Sequence, residues 1–121
     1  VGILRSAEGL ERGAARLDEL DAELSRVGVA DGDRAFNLSW HDWLNLRSLI
    51  QVSRVIAAAA ISREDSRGAH YREDHPGVDD LERSTFTVAR WSGGAVQIGR
   101  EAVKFTRVRP GQSLIADGGA A

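Results

Sequence analysis

The sequence contains no cysteine, and this absence removes several classes of site at once. Disulfides, thiolate nucleophiles and cysteine-ligated zinc or iron–sulfur centres are all excluded. Methionine is absent too, even at position 1, where Val1 stands. We therefore expect the 121 residues to be a fragment of a longer polypeptide or a processed product.

Neither sign of charge prevails, since 16 basic residues face 18 acidic ones and the net charge is −2. This balance argues against general affinity for nucleic acid. The segment "GREAVKFTRVRP", residues 99–110, interleaves Arg100, Lys104, Arg107 and Arg109 with Phe105, a weak signal for single-strand binding. A polar sheet face explains the same pattern, and we predict no nucleic-acid partner.

Long apolar runs are also scarce. The longest, "LIQVSRVIAAAAI" at residues 49–61, is shorter than the roughly 20 residues of a membrane-spanning helix, and Arg54 interrupts it. We interpret this run as a buried helix and predict no direct membrane insertion.

Hydrophobic periodicity predicts two long helices. In residues 3–27 apolar positions recur every three or four residues, and Gly28 is a plausible cap at the end. A second helix is expected from the N-cap Ser39 to near Glu64. Trp40 and Trp43 lie one turn apart near its start and are interpreted as core aromatics.

The end of the chain changes period. "DDLERST" predicts a short helical turn capped by Asp79 or Asp80, and "STFTVARW", "AVQI" and "AVKFTRV" are candidate strands. We predict a helical bundle over residues 1–83, a β extension of the same domain over 84–110 and a flexible tail over 111–121. Two helices with one apolar stripe each cannot enclose a core, so a third helix, the sheet or a neighbouring domain must complete it.

The charged stretch "SREDSRGAHYREDHPGVDD", residues 62–80, does not have a packing pattern. His70, His75, Asp74, Asp79 and Asp80 are metal-ligand types, but they lack the i, i+4 histidine spacing of a zincin helix. Ser66 and His70 would share a helix face as a nucleophile–base pair, yet no strand–turn–helix elbow surrounds the serine.

Two further hypotheses concern phosphate binding and docking. No G-x-x-x-x-G-K-[ST] or G-x-G-x-x-G pattern occurs, so the chain has no nucleotide fingerprint. Arginines and carboxylates alternate through residues 63–74, which suits a fixed domain–domain contact through bidentate pairs. A solvated, mobile loop would have the same composition, and the pattern leaves both interpretations open.

The same stretch resembles a known family. "REDSRGAHYREDHPGVDD" is similar to R-x-E-S-R-G-A-H-x-R-x-D-x-P-x-x-D-D, a pattern of the C-terminal domain of the succinate dehydrogenase/fumarate reductase flavoprotein subunit family, to which L-aspartate oxidase is related. "NLRSLIQVSRVIAAAAISRED" and "VGILRSAEGLERGAARLDEL" resemble that family's helices. Asp65 stands where glutamate is usual, and "DDLERST" lacks the aromatic and histidine that often follow the paired aspartates.

The resemblance implies a fold and a place in a larger protein. The fold would be mainly α, an up-and-down, spectrin-repeat-like three-helix bundle with a small C-terminal β-hairpin or sheet. The domain would end a longer FAD protein that oxidises succinate or reduces fumarate by hydride transfer. The motif residues that carry over are Ser66, Arg67, Gly68, Ala69, His70, Arg72, Asp74, Pro76, Asp79 and Asp80.

In this family the residues for catalysis and flavin binding precede the C-terminal domain. The resemblance therefore implies no catalytic, cofactor-binding or metal-binding residue in this chain, with FAD held by the full-length protein. The residues expected at a domain interface are Arg63, Ser66, Arg67, His70, Arg72, Asp74, Asp79 and Asp80.

The implied partners are the preceding FAD domain and, as a second candidate, an iron–sulfur subunit. The implied location is the cytoplasm or the cytoplasmic face of the membrane. The alternative is a free-standing helical interaction module, open to dimerisation through the small-residue face "AAAA" at residues 57–60.

Overall fold

A computed structural model describes residues 2–93 and 95–113. Two long helices are followed by a short helical turn and a β-hairpin, and a minor pair of two-residue strands lies beside them. In chain order the elements are β1 (Leu4–Arg5), α1 (Ala7–Val27), α2 (Leu38–Ser62), β2 (Tyr71–Arg72), a 3-10 helix (Leu81–Arg83), β3 (Thr85–Ser92) and β4 (Ala95–Ala102).

Helices α1 and α2 form an antiparallel hairpin with well-capped ends. Ser6 accepts a hydrogen bond from Gly9 N at the start of α1, and Gly28 ends that helix with φ 62°, as predicted. The N-cap of α2 is Asn37, which accepts from Trp40 N, and the predicted cap Ser39 lies inside the helix. The helix begins earlier because the Asn37 amide also closes the preceding loop.

The two helices are joined by polar contacts as well as by packing. Arg54 of α2 pairs with Asp18 and Asp21 of α1. The indole Nε1 of Trp43 donates to the carbonyl of Leu24 at 3.1 Å, and so satisfies one of the free carbonyls at the end of α1.

Only a small apolar core lies between the elements. Leu10, Ile50, Ala57 and Ala60 are the apolar residues buried within the described part of the chain. The prediction that Trp40 is a core aromatic is wrong, because its surface is 52% exposed. Trp43 is half-buried.

The predicted three-helix bundle is also wrong. Residues 2–93 and 95–113 contain two α-helices and two small sheets. The segment after α2 does not form a third helix, because it contains Pro76 and a left-handed Gly68, and several of its backbone groups bond across turns.

The predicted hairpin is present. Strands β3 and β4 pair antiparallel from Thr85↔Ala102 to Ser92↔Ala95. The separate strand expected for "AVKFTRV" does not form, because β4 runs on through Ala102 and Lys104 and Phe105 follow its end. Most of the predicted flexible tail, residues 114–121, lies outside the described residues.

Helix α2 is long and apolar enough to cross a membrane by length and composition. The core helix of a soluble protein passes the same test, but here only 17% of the apolar window is buried. Leu49, Val52 and Ile56 are each more than half exposed. The prediction of a buried helix is therefore wrong for this chain taken alone.

Candidate functional site: the motif after helix α2

The motif, residues 63–80, is a compact loop held together by hydrogen bonds of the Ser66 hydroxyl. Ser66 is 5% exposed, and its Oγ donates to the His75 carbonyl at 2.7 Å. The same oxygen accepts from Arg72 N at 2.8 Å, while Ser66 N donates to the Gly77 carbonyl at 2.9 Å. Ser66 therefore fixes both strands of the loop and is not available as a nucleophile.

A tight turn at residues 67–70 lies in the first half of the motif. Arg67 and His70 exchange two backbone hydrogen bonds of 2.8 and 3.0 Å around Gly68 and Ala69. Gly68 has φ 57°, while Ala69 is not among the residues with positive φ. This is the arrangement of a type II′ turn, in which glycine is favoured at the first central position.

Arg72 closes the C-terminal end of α2. Its side chain is 3% exposed, and Nη1 lies 3.1, 3.2 and 3.1 Å from the carbonyl oxygens of Ala60, Ile61 and Arg63. The last carbonyls of a helix have no partner inside the helix, and the helix dipole makes that end negative. A guanidinium buried there donates hydrogen bonds to the free carbonyls and places a positive charge at the negative end of the helix dipole.

Asp74 links Arg72 to the start of the other helix. Its Oδ1 and Oδ2 accept from Arg72 Nε at 2.7 Å and Nη2 at 2.6 Å, a bidentate pair. Oδ2 also accepts from Ala7 N at 2.9 Å, in the first turn of α1. The hydrogen bonds from Arg72 hold the pKa of the Asp74 carboxyl well below its usual range.

His70 lies between an arginine and a carbonyl. Its Nδ1 is 2.7 Å from Arg5 Nη1, and its Nε2 is 3.4 Å from the Arg63 carbonyl. A guanidinium can only donate, so Nδ1 must accept and the ring is neutral, with its proton on Nε2. Burial, together with the positive charges of Arg5, Arg63 and Arg72, lowers the pKa of His70.

A buried carboxylate orders the arginines on the other side of the motif. Asp65 is 4% exposed, and its Oδ1 lies 2.8 Å from Arg63 Nε. Arg67 Nε is 3.6 Å from Asp65 Oδ2 and has no hydrogen-bond partner in the described part of the chain. Arg67 Nη1 donates to Ser84 Oγ at 2.9 Å and so ties the motif to the start of the hairpin.

The paired aspartates lie at the edge of the motif. Asp80 is the N-cap of the predicted helical turn, a 3-10 helix in the structure, and accepts from Glu82 N at 3.0 Å. Asp79 and Asp80 line a small cleft of about 80 Å³ together with Arg63, Arg67 and Arg100. Both aspartates are exposed.

The described residues do not bring together a metal-ligand cluster, a nucleophile–base pair or a dinucleotide phosphate cradle. Across residues 2–93 and 95–113 no group of three or more histidine and acidic side chains could hold a metal ion. Ser66 and His70 do not share a helix face, and the ring nitrogens of His70 face Arg5 and the Arg63 carbonyl. The described residues also include no strand–glycine-turn–helix unit, so they do not form the phosphate cradle of a dinucleotide site.

Sequence reasoning missed several partners of the motif. The backbone of β1 pairs in parallel with β2, and this brings Arg5 to His70. Arg100 of β4 donates to the Ser62 carbonyl at 2.7 Å and so joins the hairpin to the end of α2. No signal in the sequence joins these residues to the motif, since a two-residue strand has no periodicity.

The chain matches the family model described as "Fumarate reductase flavoprotein C-term" over residues 1–114. It is 33% identical over 114 residues to a fumarate reductase flavoprotein subunit of Mycobacterium tuberculosis, a match covering 93% of this chain and 20% of the relative. An L-aspartate oxidase of Streptomyces coelicolor is 39% identical over 89 residues, which cover 74% of this chain and 15% of that protein.

The fold agrees with solved structures of the same group. A structure of E. coli quinol fumarate reductase superposes with a TM-score of 0.82 at 30% identity, covering 92% of this chain and 20% of that chain. The fold and the matches thus define the class of the molecule: it is a C-terminal domain of the kind found in flavoprotein subunits. The chain belongs to the fumarate reductase flavoprotein C-terminal family and spans 15% to 20% of the length of these relatives.

Proposed function

We propose that the chain is the C-terminal domain of an FAD-dependent oxidoreductase subunit of the succinate dehydrogenase/fumarate reductase type. The observation that carries this proposal is the family match over residues 1–114, combined with relatives about five times as long as the chain. In this proposal the preceding part of the polypeptide binds FAD and exchanges a hydride with a dicarboxylate substrate.

The domain has a supporting role in this proposal and carries no catalytic group. The polar atoms of Ser66 are engaged within the motif, and those of Arg72 and Asp74 at the ends of α2 and α1. Catalytic groups must be able to reach a substrate, whereas the Arg72 side chain is 3% exposed. These three members of the expected interface set hold the motif in shape.

The other members of that set supply the interface itself. Arg63, Arg67 and His70 line an open groove of about 460 Å³ that also contains the exposed apolar side chains of Ile56 and Phe86. Asp79 and Asp80 border the adjoining small cleft. Mixed apolar and charged lining suits a contact between domains of one chain, because such interfaces are more polar than obligate contacts between subunits.

The proposed partners follow from this placement. The first is the FAD-binding part of the same polypeptide, and an iron–sulfur subunit is a second one. The proposed location is the cytoplasm or the cytoplasmic face of a membrane. Direct insertion of α2 is not proposed, because Arg54 pairs with two carboxylates of α1 and would carry them into the bilayer.

Arg67→Ala tests the interface in the assembled subunit. In the subunit encoded by the natural gene, we expect the variant to lose fumarate reduction and FAD retention by at least about tenfold, the scale of an interface hot spot. The 121-residue chain should lose much less thermal stability than it does with Arg72→Ala. Arg12→Ala, on an exposed face of α1, is the matched control.

Two results would contradict the proposal. One is a reading frame that begins at Val1 and ends at Ala121. The other is a full-length Arg67→Ala subunit with unchanged FAD content and activity.

A further inference from the structure

The loop between the helices presents an aromatic ring in an unfavourable backbone conformation. Phe36 has φ 57°, and it is the non-glycine residue with positive φ among residues 2–93 and 95–113. L-residues with bulky side chains avoid this left-handed region. The residue is also 101% exposed, so no contact within the described chain compensates for the strain.

The strained conformation is fixed by the residues around Phe36. Asn37 is 7% exposed, and its Nδ2 donates to the carbonyls of Asp31 and Asp33 at 2.9 and 2.7 Å. Its Oδ1 accepts from Trp40 N at 2.7 Å, and Asp33 Oδ1 accepts from Ala35 N at 3.0 Å. The loop therefore fixes the backbone at Phe36, and the ring projects into solvent.

Strain that the surrounding structure over-determines is found at functional sites. The neighbours of Phe36 extend the exposed apolar surface, with Leu38 at 75% and Trp40 at 52% exposure. We name Phe36, Leu38 and Trp40 the hairpin tip. The positive φ of Phe36 lowers the stability of the free chain, and these exposed side chains gain nothing from burial in return. A benefit that offsets the strain therefore arises in a complex.

We propose that Phe36 anchors the hairpin tip in an apolar socket with a basic rim, on the FAD-binding remainder of the same polypeptide. This inference rests on the proposed function and adds a second contact to it. The basic rim follows from the net charge beside the tip: across residues 26–42 the exposed aspartates Asp31, Asp33 and Asp42 outnumber the exposed arginines Arg26 and Arg34.

The same charges disfavour other occupants. An anionic lipid surface is disfavoured by the net negative charge of residues 26–42. A second copy docking tip to tip would bring two such acidic groups together.

The position of the tip favours the same polypeptide. It lies at the start of α2, whereas the motif lies at the end of this 25-residue helix, roughly 37 Å away at 1.5 Å per residue. A single contact would let the domain pivot, but two contacts so far apart fix its orientation. The relatives have about four-fifths of their length outside the match, enough to reach both points.

Photo-crosslinking in the full-length subunit tests this contact directly. Phe36→p-benzoylphenylalanine, mixed with an isotopically labelled copy, should crosslink within one polypeptide to a segment outside the 121 residues. Crosslinks to a second copy, to another subunit or to lipid would overturn the proposal, and so would no crosslink at all. The same probe at Trp91, an aromatic 58% exposed on β3, is the control and should not label the same segment.

A pair of variants tests the energetic role. Phe36→Ala should speed proteolytic release of this domain from the subunit at least about tenfold, and Phe36→Leu should restore most of the protection. Equal losses of stability in the 121-residue chain would overturn the proposal, because they would place the role of Phe36 inside this domain. The FAD content of the same samples tests the proposed function separately.

Discussion

Arg72 is the residue on which the open end of the helical hairpin depends, where α1 begins and α2 ends. Its guanidinium contacts three carbonyls at the end of α2 and, through Asp74, the first turn of α1. Every N–H direction of a guanidinium is fixed by its plane, so lysine cannot reproduce this set of contacts. The family pattern therefore requires arginine at this position for a structural reason.

Arg72→Ala should destabilise the chain by about 3 kcal/mol, because it leaves the Asp74 carboxylate and the last carbonyls of α2 without their partner. Urea unfolding followed by circular dichroism measures this loss. Arg83→Ala is the matched control, since the side chain of Arg83 is 88% exposed. A loss for Arg72→Ala no larger than the control would contradict the role assigned to Arg72.

His70 should make the stability of the chain depend on pH. Its pKa is below the ordinary value of 6.5 in the folded state, so the folded chain binds fewer protons than the unfolded chain in this range. The stabilising contribution is complete above about pH 6.5 and is lost as the pH falls through the lowered pKa. Protonation places a proton on Nδ1 and so breaks the contact with Arg5.

Thermal melting between neutral and mildly acid pH measures this effect. His70→Asn retains an acceptor near Arg5 but cannot titrate, and we expect it to flatten this part of the pH profile. His41→Asn, on the exposed start of α2, should retain the wild-type profile. An unchanged profile in His70→Asn would show that His70 does not titrate with folding.

At the scale of elements, one ion pair joins the start of α1 to the end of α2. A carboxylate favours the positive N-terminal end of a helix and a guanidinium favours the negative C-terminal end, so the pair of Arg72 and Asp74 matches both dipoles. Strands β1 and β2 lie at the same place and add parallel backbone pairing. The motif thus determines how the two helices are closed at one end.

Asp74→Asn should loosen that end first. The amide retains the shape but loses the charge, so amide hydrogen exchange at the start of α1 should become faster than exchange near Ile50 in the core. The wild-type chain should lose the same contribution below about pH 3.8, because the lowered pKa of Asp74 makes its stabilisation complete above that value. Glu73→Gln, on the exposed side, is the control. Equal exchange at the start of α1 in both variants would contradict the role of Asp74 in joining the two helix ends.

The sequence determined the elements better than their assembly. Regular periodicity predicted α1 and α2, and β-branched and aromatic residues predicted the hairpin. Trp40 was misplaced because periodicity marks an apolar face but does not show what covers it. The β1–β2 pair and the contact of Arg5 with His70 were not predictable, since they join residues about 65 positions apart with no local pattern.

The sequence singled out the residues of the candidate site but did not show which are buried and which reach the surface. The alternating charges left an interface and a mobile loop both open, and only the family pattern implied an interface. The structure divides these residues by burial. Ser66 and Arg72 are buried and bond within the chain, whereas Asp79 and Asp80 reach the surface. Burial depends on the packing of the motif against two helices, which a charge pattern cannot specify.

For the whole molecule, the main feature is apolar surface that the chain does not cover itself. Leu49, Val52 and Ile56 on α2 and Phe36 in the preceding loop are each more than half exposed. An independent small domain would bury more of such surface, because burial is its main source of stability. This exposure fits a domain that is completed by a larger protein.

In the proposed role, this chain supports a flavin-binding protein without binding flavin itself. Flavin content, measured by absorbance after purification, tests it in two samples: the 121-residue chain and the full-length polypeptide from the natural gene. We expect one FAD per full-length polypeptide and none in the chain alone. Stoichiometric FAD retained by the 121-residue chain would contradict it.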